Sequence, residues 1–61
     1  MRYLVDELFT GDLHFVIIAG DSNETKPEGS FISGSMFLEV DTGKGYLFNE
    51  NGTAGSKWTE V

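Results

Sequence analysis

The sequence predicts an all-β fold: a small antiparallel sheet built from a C-terminal three-stranded meander plus an N-terminal strand or hairpin. Three observations predict it. Short apolar runs are separated by turn-forming clusters, Asp41-Thr42-Gly43 and Asn51-Gly52 among them. The runs are rich in β-branched and aromatic side chains, which suit a pleated surface. In the C-terminal half, apolar residues recur with period two.

Residues 2–9 carry two readings. Leu4 with Leu8 and Val5 with Phe9 would share a helical face, while the aromatic and β-branched content suits a strand, so the choice stays open. Thr10-Gly11-Asp12 reads as a turn; if residues 2–9 form a strand, they make a hairpin with the segment that follows. Leu13 to Ala19 is the most apolar segment, expected to be a strand buried on both faces. Between Gly20 and Gly34 the composition shifts to Gly, Ser, Asn, Glu, Lys and one Pro, interrupted only by Phe31 and Ile32. A loop of that length is unusual in so small a domain and suggests a contact arm, with Thr25, Lys26 and Pro27 in it.

Met36 to Val40 and Lys44 to Asn49 are the first two meander strands, joined by a three-residue loop. Asp41 and Thr42 suit right-handed turn positions, with the Asp41 carboxylate bonding amides ahead of it. Gly43 supplies the left-handed residue that closes the turn before Lys44. Ser56 to Val61 follows the loop 50–55 as the third strand. The chain is therefore one domain, 1–61, divided into an N-terminal apolar segment (1–19), a polar arm (20–34) and a β-meander (35–61).

Alternation puts Phe37 and Glu39 on one face of the first meander strand and Met36, Leu38 and Val40 on the other. Tyr46 and Phe48 oppose Leu47, and Trp58 and Glu60 oppose Thr59 and Val61. Phe37, Tyr46, Phe48 and Trp58 are thus packing or interface residues, with an aromatic platform for sugar or peptide as the other reading. Both faces are apolar, so the second should be covered by the N-terminal segment or by another chain. A chain of 61 residues buries only about 60% of its unfolded surface and is marginal alone, which makes oligomerisation the expected remedy.

The chemistry-bearing motifs are weak. Asp41 to Lys44 does not make a phosphate loop, because Leu38 stands where the pattern needs glycine and Gly45 where it needs serine or threonine. A calcium loop from Asp41 would place Gly43, Gly45 and Gly52 at ligand positions. His14 has no second histidine or cysteine to form a metal site, and no nucleophile is paired with it. Glu39 and Glu60 could form a carboxylate pair on neighbouring strands, yet a sheet this thin has difficulty making the cleft such chemistry needs, and a solvated or interfacial face suits them better. No catalytic, cofactor or metal residue is therefore assigned, and no enzyme activity is expected.

A formal charge of −6 with only 4 scattered basic residues disfavours nucleic acid. No apolar stretch approaches the ~20 residues of a membrane-spanning helix, and Asp6 and Glu7 interrupt any apolar leader, so neither membrane contact nor export is expected. With no cysteine there is no disulfide to stabilise so small a domain.

The series GDSNETKP, then GSMFLEVDTGKGYLFN, then KWTEV resembles a module of small proteins and terminal domains encoded by tailed bacteriophages and prophages. The pattern runs approximately G-S-T-D-T-K-P, then G-S-x-F-x-E-x-D-T-G-K-x-Y-x-F/Y, then W-x-E. It covers Gly20 to Val61 through Thr25, Lys26, Pro27, Gly34, Ser35, Phe37, Glu39, Asp41, Thr42, Gly43, Lys44, Tyr46, Phe48 and Trp58. Asn23-Glu24 and the intruding Gly29 to Ser33 depart from it. The resemblance implies a virion structural role: a capsid decoration or head-fibre attachment module, or a tail or neck component. Its partners would be itself, as a homo-oligomer with a trimer favoured, and a phage capsid or tail protein. A small acidic phage-encoded inhibitor of a host protein is the competing reading. Trp58 would then be an anchor that closes the sheet or inserts between subunits.

Overall fold

The computed structural model describes residues 1–61 and contains five strands and no helix. They are β1 (Arg2–Thr10), β2 (Leu13–Gly20), β3 (Met36–Glu39), β4 (Lys44–Phe48) and β5 (Trp58–Glu60), in one sheet of order β1-β2-β3-β4-β5. Every neighbouring pair is antiparallel except β2 and β3, which run parallel from Ile17↔Met36 to Gly20↔Glu39.

The open choice at residues 2–9 resolves to strand. β1 hairpins onto β2 through Gly11 and Asp12, with Gly11 at φ 57. Register shifts between Tyr3 and Val5 and between Leu8 and Thr10 make Leu4 and Phe9 extra residues in β1, local bulges that re-aim their side chains. Both are exposed, as are Tyr3 and Leu8. The helical spacing of Leu4 and Leu8 was overridden by antiparallel pairing with β2, which runs from Arg2↔Ala19 to Thr10↔Leu13 between the two bulges and engages one side of the β1 backbone.

The parallel contact dictates the middle of the chain. Parallel neighbours need a crossover of a dozen or more residues, and residues 21–35 supply it, passing over one face of the sheet. The expected arm is therefore a crossover laid on the sheet. Phe31 drops from it into the core with Val16, Ile18, Phe37 and Phe48, and Tyr46 and Trp58 pack at the border. Ring centroids lie 5.4 Å apart for Phe31 and Phe48 and 4.9 Å for Phe48 and Trp58, in edge-on arrangements that suit ring quadrupoles.

Two small residues make the crossover possible. Along β2, His14 bonds to Ser30 and Ile32, and regular pairing with β3 begins only at Ile17. The Val16 amide in between is capped by the Oγ of Ser35, which accepts at 3.1 Å and is itself 0% exposed. At the other end, a side chain on Gly20 would sit 2.8 Å from Phe37 Cζ and 2.8 Å from Glu24 Oε1, so only glycine lets the Phe37 ring lie against the backbone.

Several expectations change. β2 is not buried on both faces: Val16 and Ile18 are in the core, whereas Leu13, Phe15, Ile17 and Ala19 are only half-buried. The N-terminal segment does not cover the second apolar face, because it joins the sheet edgewise. Val40 leaves the strand, so the β3–β4 loop has four residues, Val40 to Gly43; Gly43 is left-handed at φ 76, and its amide donates to the Glu39 carbonyl at 2.8 Å. The third meander strand is reduced to Trp58–Glu60.

Candidate functional site

The predicted arm and packing residues meet in one place. Thr25, Lys26, Pro27 and Glu28 of the crossover form one wall of a groove of about 600 Å³, and Tyr46, Gly55 and Trp58 form the other. Phe37 and Phe48 lie beneath it, buried at 0% and 3% exposure.

The groove is held by four fastenings between crossover and meander. Ser22 donates its hydroxyl to Asp41 Oδ2 at 2.6 Å and its amide to Oδ1 at 3.0 Å. Lys26 Nζ donates to Glu39 Oε2 at 2.6 Å. The Trp58 indole N–H donates to the Pro27 carbonyl at 2.8 Å. Glu28 accepts the Gly55 amide at 2.7 Å and the Lys57 amide at 3.1 Å, one on each carboxylate oxygen.

These contacts set the electrostatics. Glu39 is 4% exposed and also accepts the Thr42 hydroxyl at 2.8 Å. The Lys26 ammonium first, and Thr42 second, hold its carboxyl below the ordinary glutamate range. The Lys26 ammonium lies 4.2 Å from the Tyr46 ring centroid and 5.0 Å from that of Phe37, so it is placed over two aromatic faces as well as against its carboxylate. The Gly55 and Lys57 amides lower the Glu28 carboxyl, and the Ser22 hydroxyl lowers that of Asp41. Asp41 therefore clamps the crossover first, with the expected pull of the Asp41 and Thr42 amides of its own turn a lesser contribution.

Glu39 and Glu60 do not form a pair. β4 separates their strands, Glu39 faces Lys26, and Glu60 lies 3.9 Å from Lys44 with both side chains half exposed. Nor is Glu39 on a solvated face: the side it shares with Phe37 is the core. His14 is bonded through Nδ1 to Asp6 at 2.8 Å on the hairpin, away from the groove. No group of three metal-ligating side chains converges. With Lys26 paired to Glu39, the groove presents the Tyr46 and Trp58 rings, backbone, Thr25 and the amide-bonded Glu28 carboxylate.

Gly20, Ser22 and Ser35 stand within the stretches of the resembling pattern, but nothing there marked their structural roles, and Glu28 lay outside it. Only their distant partners define their roles, and a clue was limited to Gly20 ending an apolar run. Comparisons of the chain with family models, with curated proteins and with solved structures find no match.

Proposed function

We propose that this chain is a non-enzymatic structural protein of a tailed-phage virion, an attachment module of the capsid decoration or head-fibre type that holds the shell through many copies. The observation that carries the attachment role is the outer strand β1. It is a nine-residue edge with one side of its backbone unpaired, and it displays Leu4, Leu8 and Phe9 at 53%, 65% and 66% exposure. An edge strand with large apolar side chains is a ready surface for adding a strand or lying in an apolar trough. The virion setting rests on the resemblance across Gly20 to Val61. Each contact is small, and repetition over a particle converts weak contacts into firm attachment.

Internal fastening supports a binding over a catalytic role. The groove's charged side chains are spent on holding the crossover, and every buried side-chain polar atom has a partner. Quantitative mass spectrometry of purified particles beside the infected-cell lysate tests the reading. A fixed high copy number per particle is the expected result. A small fixed number moves the chain to the tail or neck, and absence from particles with abundance in the lysate replaces the structural role with host inhibition.

A further inference from the structure

We infer that the face of the sheet opposite the crossover is a self-association surface, buried against the same face of neighbouring copies of this chain. The inference shares with the proposed function the association of copies, yet it rests on the sheet alone.

The face is identified by register. Ile17 stands beside Met36, Ala19 beside Leu38, and Met36 opposite Leu47, so these side chains project to one side. A side chain on Gly45 would meet Val61 Cγ2 at 3.5 Å and Leu38 Cδ2 at 3.9 Å, which places Val61 on the same side. On this face Leu47 and Val61 are 38% and 73% exposed, and Ile17, Ala19, Met36 and Leu38 are half-buried. Residues 21–35 are tied to the other face through Phe31, Lys26 and Pro27, and the β4–β5 loop is drawn to that face by Glu28. The sheet has an apolar side and no second layer, whereas a stable β domain is built of two packed layers.

Charge and area select the occupant. The chain has 4 basic and 10 acidic side chains. Across β2 to β5 none of them is on this face; Arg2 and Glu7, one of each sign, stand at its β1 border opposite Ala19 and Phe15. A basic or acidic partner would find nothing to pair with there, while a second neutral apolar sheet matches it. The two longer extents of the whole chain, 33 and 24 Å, bound any one face at about 800 Å², which is on the order of the area each partner contributes to a stable interface. Two such faces would close into a sandwich with sheets about 10 Å apart.

Sedimentation and light scattering at micromolar concentration test the inference on the whole chain and four variants. The expected mass is about 13.4 kDa, twice the 6.7 kDa of one chain, or a higher whole multiple. Leu47→Lys and Val61→Lys change side chains that are 38% and 73% exposed and lie outside the core, so circular dichroism should remain native while the mass falls to that of one chain. The edge variants Leu8→Lys and Phe9→Lys should leave the mass unchanged. A monomeric parent chain overturns the inference. So does a multimer that survives both face variants, or one that only the edge variants dissolve. Counting copies on particles is a separate readout, so a failure here leaves the proposed function standing or falling on its own test.

Discussion

Trp58→Ala is the most telling perturbation of the fold, because Trp58 joins the shortest strand, the crossover and the core at once. Its ring lies 4.9 Å from Phe48, 6.0 Å from Phe37 and 6.3 Å from Phe31, centroid to centroid, and its indole N–H holds the Pro27 carbonyl. Truncating a buried aromatic costs about 3–5 kcal/mol, and a half-buried one belongs at the lower end, about 3 kcal/mol. The lost hydrogen bond adds about 1 kcal/mol. Set against about 3–9 kcal/mol of total stability for 61 residues, a loss near 4 kcal/mol removes from about half to all of it. Trp58→Phe keeps the ring contact and loses the hydrogen bond, so it should cost about 1–2 kcal/mol. Urea unfolding at fixed protein concentration, followed by far-ultraviolet circular dichroism, measures both, since removing the single tryptophan also removes the fluorescence probe. Trp58→Ala within about 0.5 kcal/mol of the parent would refute the aromatic core as described.

Four further outcomes follow from the same structure. Gly20→Ala forces a methyl to within 2.8 Å of the Phe37 ring, and overpacking of that kind should cost about 1–3 kcal/mol in the same urea assay. Ser35→Ala strips the cap from the buried Val16 amide and should cost about 1–3 kcal/mol, with faster hydrogen exchange at Val16 as its signature. Lys44→Ala should be neutral to within about 0.5 kcal/mol in thermal unfolding, because its contact with Glu60 is long and solvated. Glu24, Glu28, Glu39 and Asp41 all titrate below their ordinary values in the folded chain. The unfolded chain therefore takes up protons first, and the stability these groups contribute is complete above the ordinary carboxylate range and lost as pH falls through the depressed values. Urea midpoints should hold level from neutral pH down to about 5 and then decline; midpoints that rise on acidification would contradict the clamps.

The sequence determined the meander because its information is local. Period-two alternation at Met36 to Leu38 and Tyr46 to Phe48, with a left-handed Gly43 between them, specifies two strands and their turn without reference to the rest of the chain. It also determined that both faces would be apolar, while strand register brought Phe37, Tyr46, Phe48 and Trp58 to one of them. The parallel contact of β2 with β3 was not legible, since no local pattern distinguishes a strand that pairs with its sequence neighbour from one that waits fifteen residues for its partner. Tertiary structure alone decided what that contact implies. It turned a polar loop into a crossover, buried Glu39 beneath Lys26, and gave Gly20 and Ser35 their roles. It also set β1 at the sheet edge, leaving the second apolar face uncovered within the chain. Alternation is written in adjacent residues, whereas pairing depends on surfaces that exist only once the chain has folded back on itself.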